Sequence, residues 1–155
     1  MQLPARKPLG VILDSSFLFI PSQFHMDIYE ELAELLNRRF EPIILSPTID
    51  ELQKIAEGGS TKLRKQAALA LEFAKKCRQL GAVKGEDEPH DDVIIRVASE
   101  TMSYVATNDR ALRKRLRDAK VPVIYLRQKS RLAVEGTLYE PSALQKAFKN
   151  PLKVM

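Results

Sequence analysis

The chain has a single cysteine, Cys77, among 155 residues. That excludes an internal disulfide framework and any cysteine-based zinc site, and its setting in Ala-Lys-Lys-Cys-Arg gives it a packing role on a helix. Histidine is nearly as scarce. His25 and His90 are too few and too scattered for a zinc site, and His90 reads as a solvated loop residue that could at most touch a substrate. Aromatic residues make up 6%, so a broad base-stacking platform for single strands is not indicated. No apolar run approaches the length of a membrane span, and the N-terminus lacks a signal-peptide core, so the expected compartment is cytoplasmic with no membrane partner. Neither a Gly-x-x-x-x-Gly-Lys-[Ser/Thr] loop nor a dinucleotide glycine fingerprint occurs. Phosphotransfer from a strand-end aspartate commonly needs a second Asp two residues on, and here that residue is Ser16.

What is present is ordinary for a folded domain: 45% hydrophobic and 29% charged residues, enough to bury a substantial core. The net charge of +5 favours polyanionic partners. Short apolar, β-branched runs alternate with helical patterns. Leu9–Leu13, Pro42–Leu45, Tyr104–Thr107 and Pro122–Leu126 read as strands, with a weaker edge strand at Ala82–Val83. Helices are expected over Asp27–Arg38, from Ser46 as N-cap with Pro47 at the first helical position to Gly58-Gly59, and over Thr61–Leu80, Asp91–Met102 and Arg110–Lys120. Such alternation implies an α/β/α sandwich around a mostly parallel, twisted sheet of four to five strands. Residues 1–130 form this domain. Residues 131–155 are a C-terminal extension, irregular past Leu126 with a short helix after Pro141, that packs back on the domain or binds a partner.

Four acids stand where the carboxyl edge of such a sheet falls, which is where open α/β folds bind ligands. Asp14 closes Gly-Val-Ile-Leu-Asp, and Asp109 follows Tyr-Val-Ala-Thr-Asn. Each has a plain alternative: a turn or N-cap aspartate for Asp14, a helix-start acid favoured by the macrodipole for Asp109. Glu51 is too deep in its helix to be a capping-box acid, which would fall at Ile49, although a solvated face beside Asp50 would also explain it. At about 100° per residue, Ile94, Ile95, Ala98 and Met102 form an apolar stripe with Asp91 on it and Asp92 on its flank. A charge on a buried face is costly unless paired or bound to metal, so Asp91 is the stronger ligand candidate and Asp92 a helper. The run Glu86-Asp87-Glu88 reads as a solvated loop. Clustered carboxylates repel one another unless a cation neutralises them, and an all-oxygen pocket suits Mg²⁺ or Mn²⁺. The chemistry expected there is metal-assisted phosphodiester hydrolysis. Ser15, Thr107 and Asn108 are small polar neighbours suited to support the acids or touch phosphate.

Between Arg110 and Arg131 lie Arg110, Arg113, Lys114, Arg115, Arg117, Lys120, Arg127, Lys129 and Arg131, against the single acid Asp118. A charge run is usually a solvated face. This one begins at Asp109, which makes Arg110, Arg113, Lys114, Arg117, Arg127, Lys129 and Arg131 the candidates for an RNA backbone beside the acids.

These residues resemble the PIN-domain ribonucleases. Val-Ile-Leu-Asp14-Ser-Ser-Phe is similar to the family's first motif, Glu51 in Ile-Asp-Glu-Leu to its helix glutamate, Asp91 to its third acid, and Thr107-Asn-Asp109 to its closing motif. Val-Ala-Thr-Asn-Asp-Arg-Ala-Leu-Arg-Lys-Arg-Leu-Arg and His-Asp-Asp-Val-Ile-Ile-Arg-Val look closer to the small-subunit processome nuclease of pre-ribosomal RNA than to VapC-type toxins. A long basic N-terminal extension of the eukaryotic pattern is missing. The resemblance implies an archaeal, Mg²⁺- or Mn²⁺-dependent endoribonuclease acting in ribosomal RNA processing, with ribosome assembly factors as partners and dimerisation common in the family. Two rivals stay open: a toxin ribonuclease with an antitoxin partner, and a non-catalytic RNA-binding assembly factor.

Overall fold

In β1 (Leu9–Leu13) Val11 and Leu13 enter one apolar core while Ile12 enters another. A strand apolar on both faces belongs in the middle of a sheet covered on both sides. The computed structural model, which describes residues 7–136, shows that arrangement. After β1 come α1 (Ser15–Leu18), α2 (Ile20–Phe24), α3 (Ile28–Leu36), β2 (Phe40–Leu45), α4 (Ser46–Gly58), α5 (Thr61–Ala74) and β3 (Arg78–Leu80). They are followed by α6 (His90–Thr101), β4 (Tyr104–Ala106), α7 (Arg110–Asp118), β5 (Val123–Arg127) and β6 (Arg131–Glu135).

The sheet order is β3-β2-β1-β4-β5-β6, parallel except for the antiparallel β5–β6 edge. Strands are added outward from β1 to β3, and the chain then crosses back to lay β4 on the other side of β1. Right-handed crossovers require the covering helices to change face when that direction reverses. They do: Phe17, Leu32, Leu52 and Ala70 of α1 and α3–α5 pack in one core, and Val93, Ile94, Val97, Leu112 and Leu116 of α6 and α7 in the other. The reversal leaves a crevice between the carboxyl ends of β1 and β4, where Asp14 N–H donates to the Ala106 carbonyl at 2.9 Å.

In α7, Leu112 and Leu116 are fully buried, one turn apart. Burial of each contributes about 1.5–3 kcal/mol, far more than any surface charge pair, so this pair sets the helix phase and turns its cations outward. Gly10 is needed in β1 because a Cβ there would lie 2.6 Å from Ser103 Oγ. Among the described residues no helix is long and apolar enough to cross a membrane.

The sheet has six strands rather than four to five. The stretch past Leu126, expected to be irregular, holds β6, so the first five residues of the expected extension are the sheet's edge. The expected helix after Pro141 lies outside the described residues. The helix expected over Thr61–Leu80 stops at Ala74, because Arg78–Leu80 pairs with Ile43–Leu45 as the edge strand that had been expected at Ala82–Val83. Ser46 is not an N-cap. Its Oγ accepts from Ala82 N–H at 3.1 Å and lies 3.4 Å from the Ala82 carbonyl, prolonging the β2–β3 pairing, while Leu45 holds the cap position. Met102 leaves the apolar stripe of α6: it is a left-handed C-cap, 57% exposed, and Val93 and Val97 complete the buried face instead.

Candidate functional site

At the end of β1, Asp14 is buried and its Oδ2 accepts two hydroxyl hydrogens, from Ser16 at 2.6 Å and from Thr107 at 2.9 Å. Each hydroxyl also accepts a backbone N–H: Ser16 Oγ from Asn108 at 3.0 Å, and Thr107 Oγ1 from Asp109 at 3.1 Å. With one proton each, both already directed at Asp14, the two hydroxyls clamp the carboxylate from both sides of the crevice. Asp14 stands at the N-cap position of α1 but makes no capping bond there. Ser16, passed over in the sequence except as a missing aspartate, is thus the link between β1 and the turn after β4. Its signal was its place two residues past a strand-end acid, opening a helix.

Helical phase separates Asp91 from Asp92. Asp92 forms an ion pair with Arg115 of α7. Among the described residues no hydrogen bond or ion pair engages the Asp91 carboxyl. Burial, then the charges of Asp14 and Asp109, push its pKa up, against smaller opposing effects from His90 and Arg115. Glu51, one turn into α4, accepts from Ser15 Oγ at 3.2 Å through Oε1, while its Oε2 lies 3.5 Å from His90 Nε2. Glu51 therefore spans the neighbours of Asp14 and Asp91. His90 is no solvated loop residue. It opens α6, is 20% exposed in its side chain, and sits 3.1 Å from Thr48 Oγ1. A lone polar residue beside two acids carries no sequence signal for a partner 42 positions away.

Asp109 caps α7, its Oδ1 accepting from the N–H groups of Ala111 and Leu112 at 2.8 and 3.2 Å. That is the plain role anticipated for a helix-start acid, and it occupies one of the two carboxyl oxygens. Among the described residues no three of His, Cys, Asp and Glu are gathered closely enough to enclose an ion by themselves. The donor set is all oxygen, and Asp91 ionises against two neighbouring carboxylates with no hydrogen-bonded counterpart among the described residues. Those features fit a hard, largely hydrated divalent cation, which takes one or two carboxylates directly and reaches others through water. Cys77 offers no alternative chemistry: burial pushes its thiol up to about 11.

The candidate cations divide. Arg110, Lys114 and Arg117 are exposed on α7, and Arg127, Lys129 and Arg131 are exposed on the β5–β6 hairpin. Arg113 is engaged: its Nε donates to Glu135 at 3.0 Å and its guanidinium lies 3.5 Å from the centre of the Tyr125 ring. Glu88 in the acidic run is engaged too. It accepts from Arg96 and from Gly85 N–H, which lowers its pKa and ties the loop before α6 to that helix, while Glu86 and Asp87 stay exposed.

A family profile described as a PIN like domain matches residues 11–129. Ribonuclease VapC4 of Methanocaldococcus jannaschii is 29% identical over 127 residues, covering 81% of this chain and 96% of that protein. The rRNA-processing protein fcf1 of Schizosaccharomyces pombe is 28% identical over 117 residues, covering 76% of this chain and 57% of that protein. The chain thus spans little more than half of the yeast relative. Among solved structures, that of the PIN domain endonuclease Utp24 superposes with a TM-score of 0.69 at 26% identity, over 84% of this chain and 93% of that one. Both kinds of relative that the motifs resemble are matched, at nearly equal identity. The profile match runs from β1 through every acid of the crevice to the β5–β6 turn, and the chain belongs to the PIN-like domain family.

Proposed function

We propose that this protein is a Mg²⁺- or Mn²⁺-dependent endoribonuclease, hydrolysing RNA phosphodiester bonds in ribosomal RNA processing or small-subunit maturation. The observation that carries the reading is Asp91, a carboxyl that no hydrogen bond engages among the described residues and that is set against the charges of Asp14 and Asp109 near the switch point of the sheet. Asp14, Asp91 and Asp109, with Glu51, would hold the cation, some of them through water. When bound, such a cation acidifies water and offsets charge on the phosphoryl oxygens. The chain's own residues do the rest. Ser16 and Thr107 fix Asp14 by its Oδ2, Ser15 fixes Glu51 by its Oε1, and the exposed cations of α7 draw the RNA backbone to the crevice. Arg115 pairs with Asp92 and also weighs, as a smaller effect, against the raised pKa of Asp91.

The test is RNA cleavage with Mn²⁺ by the wild type, Asp14→Asn and Asp91→Asn. Loss in both variants with the fold retained supports the reading, and cleavage that survives both points to a contaminating nuclease. A toxin-type ribonuclease is the second reading, favoured by the match to VapC4 over 96% of its length. Crosslinking to RNA in the native cell decides between the two: contacts on small-subunit ribosomal RNA or its precursor support processing, and a single transfer RNA supports the toxin. The third reading, a non-catalytic assembly factor, requires that the two substitutions leave every RNA-dependent phenotype intact.

A further inference from the structure

Beyond the acids, past the carboxyl end of β5, lies a cavity of about 390 Å³ that opens beside Thr107 and Asp109. Phe24, Asn108, Arg110, Tyr125, Gln128 and Lys129 give it its character. The volume falls at the small end of the 300–1,000 Å³ or so usual for small-molecule sites, about the scale of one nucleotide. Its chemistry is that of a nucleotide as well. Phe24 supplies an aromatic wall, and a second is the Tyr125 ring with the Arg113 guanidinium 3.5 Å from its centre, locked there by Glu135. Bases stack on aromatic rings and on guanidinium planes alike. The amides of Asn108 and Gln128 present donors and acceptors at the rim, suited to the edge of an unpaired base. Arg110 and Lys129 supply charge for its phosphate.

The hairpin that closes this cavity is held in an unfavourable conformation. Gln128 and Lys129 both have positive φ, 56° and 61°, in the three-residue turn between the paired Arg127 and Arg131, where glycine or asparagine would be usual at such angles. Glycine would suit those backbone angles better, so their long side chains are kept at a conformational cost at the mouth of the cavity.

Resting on the ribonuclease reading above, we propose that this cavity is a subsite for one unpaired RNA nucleotide next to the scissile phosphate. It takes the base between Phe24 and the Tyr125–Arg113 wall and the phosphate on Arg110 and Lys129. The protein then selects single-stranded or looped RNA over duplex, because a paired base cannot enter.

The experiment measures binding without cleavage. A fluorescein-labelled 12-nucleotide single-stranded RNA, alone or annealed to its complement, is titrated in EDTA and followed by anisotropy. A second 12-mer carries 2-aminopurine to report stacking. Wild type should bind the single strand at least tenfold tighter than the duplex and quench the 2-aminopurine. Phe24→Leu should weaken binding about tenfold and remove the quenching. Gln128→Gly and Lys129→Gly suit the positive φ of the turn, so a loss of binding in a variant whose Tm is kept or raised is the loss of a side-chain contact. The lysine variant should also flatten the salt dependence of log K by about 0.7. Equal affinity for duplex and single strand, no RNA binding by the wild type, or unchanged binding in Phe24→Leu and Gln128→Gly together would overturn the subsite. A failed cleavage assay with this binding pattern intact would instead sink the nuclease reading and leave the subsite standing.

Discussion

Asp91 shows most directly what one side chain costs the fold. Its folded pKa is raised, so ionising it is harder in the native protein than in the unfolded chain. Below the unfolded value the group contributes nothing. As pH climbs from there through the folded value, a penalty grows in and then stays. Asp91→Asn should therefore raise Tm at neutral pH in EDTA by about 1–3 °C, and leave it unchanged well below the carboxylate range. Thermal melts across pH read both. Mn²⁺ should raise the Tm of the wild type, because it binds only the folded state, and should do so far less for Asp91→Asn. An equal shift in the two proteins removes Asp91 from the cation site. That Asp91 and Asp92 have different surroundings was legible from helical phase alone, since periodicity belongs to a single segment. The tie from Ser16 to Asn108 and the contact of His90 with Thr48 were not, because each depends on a partner supplied by another element.

Among elements, β1 and the β5–β6 hairpin mark the two extremes of legibility. Leu9–Leu13 is apolar on both faces and reads directly as a central strand. Gly10 in it has no sequence signal, because its reason is the Ser103 hydroxyl on the neighbouring strand's approach. Gly10→Ala should destabilise the protein by about 1–3 kcal/mol in urea unfolding, since the Cβ has to displace Ser103 from its 2.8 Å contact with Thr101. Neutral behaviour would mean that the end of α6 yields more easily than a packed core does. β6 was missed because its turn lacks the glycine or asparagine that announces a hairpin, although Leu132 and Val134 alternate with their neighbours. Its turn gives the opposite prediction. Gln128→Gly should stabilise by about 0.5–1 kcal/mol, as relief at positive φ outweighs the added freedom of the unfolded chain. α1 and α2 were also missed. Helices of four and five residues are too short to show a period, and burial of Phe17, Leu18 and Ile20 holds them instead.

At the scale of the whole molecule, alternating strands and helices made the layered fold legible, but strand order is decided by which crossover comes back over the sheet. The charge is legible in sign and its placement follows from α7: two leucines inward leave the cations outward. RNA affinity should therefore fall steeply with salt, with a log–log slope near −0.7 per phosphate contacted on a single strand, read from titrations at several ionic strengths. A flat dependence would assign the basic face to solvation. The order β3-β2-β1-β4 has a further consequence in time. A polypeptide emerges from its N-terminus, so β1, β2 and β3 can pair early, while the other edge of β1 waits for residues 104–106. Until they arrive, Asp14 has no Thr107 to hold it and Asp109 has not been made. A nascent chain, still surrounded by the RNA of the ribosome that is making it, carries its acids unassembled.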